Sequence, residues 1–311
     1  MSAGALATKL GLLGAFGASA AYVHFRGRVR HPLTRQLADH STFLAPYNVL
    51  VYLFSAVPTG PILDPRDLPA LEPLREHWRT IRDEALALLD AGRIAPSERF
   101  EDIAFNTFFR RGWKRFYIKW YGDVLPSAAA LCPETSRLVR AIPSINAALF
   151  ALLPPGGRLG EHRDPFAGSL RYHLGLLTPN ADTCRLYVDG TPLAWRDGEA
   201  LLFDETYVHR AVNESDVTRI ILFCDVTRPL RTRAMRALND FVIRHVVRHT
   251  ASRNEADEPL GALAGVASWS VRTKQFFRRL KKRTDLRLYY GVKYGVGAGI
   301  VWLLFFSGLV F

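Results

Sequence analysis

Residues 170–203 read LRYHLGLLTPNADTCRLYVDGTPLAWRDGEALLF, with apolar positions at every second residue between turn signals. Leu170, Tyr172, Leu174 and Leu176 alternate with Arg171, His173 and Gly175, the period of a strand whose successive side chains face opposite ways. Cys184 to Val188 turns at Asp189-Gly190 into Thr191 to Trp195, and Arg196-Asp197-Gly198 turns again into Leu201 to Phe203. Outward from this stretch, Ile145 to Leu153 is an apolar run closed by Pro154-Pro155-Gly156-Gly157, and Thr218 to Val226 supplies a last strand. Five or six short strands at this spacing predict an antiparallel barrel or jelly roll. Helices precede it. Leu71, Leu74, Trp78, Ile81, Ala85 and Leu88 recur at steps of three and four, predicting one amphipathic helix stopped at Gly92. Pro133 opens another helix that ends near Ile142. The fold class expected is mainly β with flanking helices.

The 311 residues are 49% hydrophobic and 23% charged, which excludes a disordered chain. The three cysteines, Cys132, Cys184 and Cys224, are far apart and form no CxxC pair. That argues against a disulfide framework or structural zinc, and fits a reducing compartment.

The apolar residues gather at the two ends. Met1 to Val23 holds one charge, Lys9, and the run from Leu10 to Val23 is uninterrupted. A secretory signal and a retained span both fit it; the basic residues that follow favour retention. Tyr294 to Phe311 carries no charge over eighteen residues, close to the length that crosses a bilayer core. The net charge is +12, and Arg228 to Arg287 carries fifteen Lys/Arg against five Asp/Glu. Arg26, Arg28 and Arg30 follow the first span, and Arg278 to Arg283 precedes the last, so the positive-inside rule puts the central region in the cytoplasm. Anionic lipid headgroups are the simpler partner for this charge, and no nucleic-acid role is expected. Phe43 to Pro58 is uncharged and reads equally as a core helix or an interfacial segment. Phe108 to Tyr121 reads as a strand pair with basic residues outward. It also reads as a headgroup contact through Arg110, Arg111, Lys114 and Arg115.

The chemistry-bearing residues lie inside the strand-rich region. His162 and Asp164 are followed by His209, and Arg219 comes ten residues later. Two imidazoles and one carboxylate on one face, with other positions open, suit non-haem Fe(II). The open positions would take the 2-oxo acid end of 2-oxoglutarate and O2, and a buried arginine would pair with its distal carboxylate. Arg171 and His173 share one strand face and point to an anion within. No HExxH is present, which disfavours zinc hydrolysis.

Residues 159–180, LGEHRDPFAGSLRYHLGLLTPN, and 195–226, WRDGEALLFDETYVHRAVNESDVTRIILFCDV, closely resemble the aspartyl/asparaginyl β-hydroxylase family of Fe(II)/2-oxoglutarate oxygenases. Within that family, residues 21–48, 112–122 and 150–165 are similar to the lipid A 2-hydroxylases of the LpxO type; the likeness runs from Tyr22 to Leu230. The resemblance implies a double-stranded β-helix, His162 and His209 as iron ligands, and Arg171, His173 and Arg219 as 2-oxoglutarate contacts. Asp164 stands where such oxygenases usually have the third ligand, which animal peptidyl members have lost. Ala151 stands where those relatives use a serine, and Asp204 reads as a turn or supporting residue. The function implied is hydroxylation of the 2-position of a lipid A acyl chain at the cytoplasmic face of a bacterial inner membrane. Ornithine-lipid acyl hydroxylation and peptidyl Asp/Asn β-hydroxylation are the alternatives, with a non-catalytic anion-binding scaffold further off. The expected organisation is an N-terminal span (1–25), a juxtamembrane segment (26–60), the oxygenase domain (61–230), a basic membrane-surface segment (231–288) and a C-terminal transmembrane helix (289–311).

Overall fold

The computed structural model describes residues 3–36, 39–96, 112–250, 252–255, 257–258 and 261. Its contacts divide the chain into a unit of Phe16–Ala264 and a unit of Met1–Ala15 with Gly265–Phe311. Of the second, only residues 3–15 are described. The expected C-terminal span, most of the basic segment, and Arg110 and Arg111 lie outside the described residues.

Chain order begins with helices: α1 (Ala3–Phe25), the short α2 (Leu33–Gln36) and α3 (His40–Phe43), and α4 (Ala45–Leu53). Within α1, Leu6–Phe25 is long and apolar enough to cross a membrane, with mean hydropathy 1.3. Strand β1 (Ile62–Leu63) leads into α5 (Glu72–Glu76) and α6 (Trp78–Asp90). The single helix expected over 71–90 is therefore broken. Pro73 sits in the first turn of α5, and His77 leaves helical geometry at φ −99°, ψ 18°. The apolar stripe survives the break, because Leu71, Leu74, Ile81, Ala85 and Leu88 are all buried. The turn after α6 needs a residue at φ +67°, which Gly92 supplies without steric cost.

The β region follows: β2 (Lys114–Trp120), then α7 (Pro126–Leu131) and α8 (Pro133–Ala141), then β3 (Ile145–Leu153), β4 (Arg158–His162), β5 (Ser169–Leu177), β6 (Cys184–Val188), β7 (Thr191–Ala194), β8 (Ala200–Phe203), β9 (His209–Asn213) and β10 (Arg219–Thr227), closed by α9 (Arg233–His245). They form a six-stranded sheet in the order β1-β8-β5-β10-β3-β2 and a four-stranded sheet in the order β4-β9-β6-β7. Apart from the β6–β7 hairpin, the chain alternates between the two antiparallel sheets from β3 to β10, which is jelly-roll connectivity. The fold class is mainly β with flanking helices, as expected.

Two strands, β4 and β9, escape the alternation rule because polar site residues occupy them. Of the strand pair expected over 108–121, residues 108–111 lie outside the described residues, and the described part holds the edge strand β2. Its exposed edge is met by Asn254, whose Oδ1 accepts from Tyr117 N at 2.8 Å and whose Nδ2 donates to Tyr117 O at 2.7 Å. Leu170, Tyr172, Leu174 and Leu176 are buried, because α6 packs on β5 while α7 and α8 cover β2 and α8 also reaches β3. The large sheet is therefore covered on both faces, apolar under the helices and mixed apolar and charged on its inner side. The small sheet keeps one inner face, with Cys184, Leu186, Val188, His209 and Ala211 buried and the residues between them half-buried. A second apolar cluster joins Val23, Ala45, Val51, Tyr52, Leu230 and Met235, tying the end of α1 to α4 and α9.

Candidate functional site

Register places the site. Arg171, His173 and Gly175 of β5 stand opposite Asp225, Phe223 and Ile221 of β10, so these six positions share the inner face of the large sheet. A Cβ on Gly175 would lie 2.0 Å from the carbonyl oxygen of Arg196, so only glycine admits the 196–198 turn here. On the small sheet His162 of β4 pairs with His209 of β9. Asp164 follows two residues on, fixed by its N–H donating to Glu205 O at 2.9 Å. One atom each from His162, Asp164 and His209 lie within 4.8 Å of one another.

Both imidazoles are oriented by the main chain. His162 Nδ1 lies 2.7 Å from Gly160 O, and His209 Nδ1 lies 3.0 Å from Tyr207 O. A carbonyl only accepts, so each Nδ1 carries the proton and leaves Nε2 as the nitrogen that could ligate a metal, the arrangement usual behind metal-bound histidines. Burial, and then neighbouring His162, push His209 down to about 3, so it is neutral at physiological pH. Burial would raise Asp164, but Arg171 and the two imidazoles outweigh it and hold the carboxyl below its usual range. Two imidazoles and an ionised carboxylate fit an Fe(II) ion with open positions.

One cavity is lined by these three residues together with Arg171, His173 and Arg219. The structure thus brings together all six residues expected from the sequence. Two of them lack partners. Arg219 is buried, its Nε and one terminal nitrogen have no hydrogen-bond partner, and no carboxylate pairs with it among the described residues. Its guanidinium stacks on Trp195 at 4.3 Å, and burial lowers its pKa to about 10. Trp195 Nε1 donates to His173 Nδ1 at 3.4 Å, leaving the His173 proton on Nε2, which is buried without a partner. Unpaired donors in a water-poor cavity carry a large desolvation cost unless an anionic ligand completes them. This pair fits a small dicarboxylate.

Arg171 is differently placed. It donates to Asp164 Oδ2 at 2.8 Å, bonds Glu205, and lies 2.6 Å from Asp225 Oδ1. Its charge is committed to three carboxylates. Burial, with Asp225 and Asp164 nearby, raises Glu205 well above its ordinary value despite Arg171. Ala151 lines the cavity where a serine would add a hydroxyl. Asp204 lies away from the triad, bonded to Arg228 at 2.8 Å, Arg26 at 3.2 Å and Thr206. Arg115 is buried and donates to Arg253 O at 3.2 Å, while Lys114 is half-buried. Trp195, Glu205 and Asp225 were not singled out from the sequence, because a strand-end tryptophan and two scattered acids carry no spacing signal.

Residues 75–229 match the family model described as aspartyl/asparaginyl beta-hydroxylase. The chain is 34% identical over 180 residues to an ornithine lipid ester-linked acyl 2-hydroxylase of Rhizobium tropici, covering 56% of this chain and 63% of that one. It is 34% identical over 139 residues to human aspartate beta-hydroxylase domain-containing protein 2, covering 42% and 37%. The chain thus spans less than two thirds of the length of these curated relatives. Among solved structures, a Pseudomonas putida prolyl-4-hydroxylase overlays 49% of the chain and 87% of its own at TM-score 0.35 and 20% identity. By the match over residues 75–229, the chain belongs to the aspartyl/asparaginyl β-hydroxylase family.

Proposed function

We propose that this hydroxylase uses Fe(II) and 2-oxoglutarate to hydroxylate the 2-position of an acyl chain on a membrane lipid. The observation that carries the reading is Arg219, a buried guanidinium without a counter-ion in the cavity that also holds His162, Asp164 and His209. Iron held by those three residues would supply O2 activation coupled to decarboxylation of 2-oxoglutarate: one oxygen atom enters the C–H bond and the other ends in succinate, with release of CO2.

The chain's own residues do the positioning. Arg219 offers unpaired N–H donors to the distal carboxylate of the co-substrate, and His173 adds its Nε2–H. Arg171 holds Asp164 in place and brings positive charge to the same cavity wall. The apolar wall of Ile221, Phe223 and Phe203 excludes water from the reacting carbon. Lipid A, with its phosphorylated headgroup, suits the basic flanks of the chain and is the first substrate proposed. Ornithine lipid is the second, favoured by the likeness to the R. tropici enzyme. A membrane-held enzyme working on the cytoplasmic side meets lipid substrate, ferrous iron and 2-oxoglutarate together.

Comparative lipid mass spectrometry of cells expressing the protein and its His209→Ala variant tests this. One added oxygen on a lipid A acyl chain, present only with the intact protein, is expected. The same gain on ornithine lipid would keep the site and change the substrate. No gain on any lipid, or full activity in iron-free protein, would overturn the reading.

A further inference from the structure

We infer that the outer faces of α3, α4 and α9, with the last turn of α1, form a docking surface that lies in the interfacial layer of an anionic phospholipid bilayer. The inference rests on reading α1 as a membrane span and goes beyond it: the folded domain itself enters the lipid surface.

The strip begins in the uncharged stretch from Phe43 to Pro58. Helix α4 buries Ala45, Asn48, Val51 and Tyr52. Its other side is where a water-facing helix carries polar residues. Here Leu50, Leu53 (65% exposed) and Phe54 follow Phe43 (67% exposed) at near-helical spacing. Helix α9 buries Met235 and Asn239. By helical spacing its remaining surface falls into two strips: Leu238, Phe241 and His245 on one side, and Arg233, Arg236 and Arg244 around Asp240 on the other. An apolar strip beside a cationic one is the pattern of a helix lying at a lipid interface, with arginines at the anionic headgroups.

The two helices are one rigid platform. Tyr47 Oη donates to Asn239 Oδ1 at 2.5 Å, Arg231 N donates to Phe54 O at 2.8 Å, and the shared cluster of Val23, Val51, Tyr52, Leu230 and Met235 lies beneath. That cluster includes the last turn of α1, where Tyr22 and Phe25 are exposed. The last turn of α1 belongs to a helix that is apolar for 20 residues and almost wholly unburied by protein. This connection selects a bilayer over a protein partner. The platform also reaches the metal site. Asn48 Nδ2 donates to Pro165 O at 2.8 Å and its Oδ1 accepts from Ala167 N at 3.0 Å, in the segment directly after Asp164.

The test uses the full chain in phosphatidylglycerol/phosphatidylethanolamine vesicles, with one spin label each at Phe43→Cys, Leu53→Cys, Phe241→Cys and, as control, Asp90→Cys. The native cysteines are buried and stay unlabelled. Collisions with O2 are expected to exceed those with an aqueous nickel complex at the first three sites and to fall below them at Asp90→Cys. Nickel access at all four sites overturns the inference. Shielding from both reagents means that protein, a second copy or this chain's C-terminal residues, covers the face, and overturns it equally. Lipid hydroxylation by the same preparations is read separately. Lipid-facing labels without hydroxylation count against the enzymatic reading alone, and water-facing labels with hydroxylation count against the surface alone.

Discussion

Arg219 is a buried cation that stacks on an indole and pairs with no acid among the described residues, so an anion bound beside it would stabilise it. Two outcomes follow at this residue. Saturating 2-oxoglutarate stabilises the wild type, by about 2.7 kcal/mol at a hundred times Kd, and thermal unfolding of Arg219→Met shows no such gain. Because methionine removes a desolvated charge, that variant without co-substrate is at least as stable as the wild type. His209→Ala acts elsewhere. It removes a ligating nitrogen, and both iron binding by calorimetry and hydroxylation are lost, while stabilisation by 2-oxoglutarate without metal weakens less than in Arg219→Met.

At the scale of elements, the β8–β9 connection is the hub. Asp204 joins it to Arg228 and to Arg26 just beyond α1, Glu205 joins it to Arg171, and His209 follows at the start of β9. Burial would raise Asp204, but Arg228 and Arg26 outweigh it and hold it below its ordinary value. The folded state thus releases the proton more readily than the unfolded chain. Its stabilisation is complete above the unfolded carboxyl value near pH 4 and is lost as pH falls through the lower folded value. Asp204→Asn loses about 3–5 kcal/mol at neutral pH, since two arginines are stranded, and denaturant titrations show its acid sensitivity flattened. A second link runs through Arg163, between two proposed ligands, whose guanidinium donates to Val23 O at 3.0 Å. Arg163→Ala is expected to weaken iron affinity about tenfold, in line with other residues that support metal ligands, measured in the full chain.

For the whole molecule, the same contacts make the end of α1 part of the catalytic unit rather than a tether. Detaching the helix should therefore cost folding of the β8–β9 connection as well as membrane attachment. The basic flanks set the expected topology. Protease added to inverted membrane vesicles cleaves the central domain, and protease added to intact spheroplasts leaves it whole; the reverse pattern would place the site on the other side.

Strand periodicity, turn dipeptides and the His-x-Asp…His spacing are local properties, so most strands from Ile145 to Val226 and six residues that meet in one cavity were legible in the sequence. Strands β4 and β9 were not, because a strand that carries ligands loses the apolar alternation by which it is recognised. The break at His77 was hidden because an apolar stripe continues across it. Which arginine stays unpaired, and which is caged by three acids, depends on residues far apart in sequence that register across the sheets makes neighbours. Arg171 and Arg219 look alike in the chain. Only Asp164, Glu205 and Asp225 closing on one of them, and Trp195 on the other, separate a cation that braces the site from one that awaits an anion, because pairing and desolvation are set by the folded surroundings.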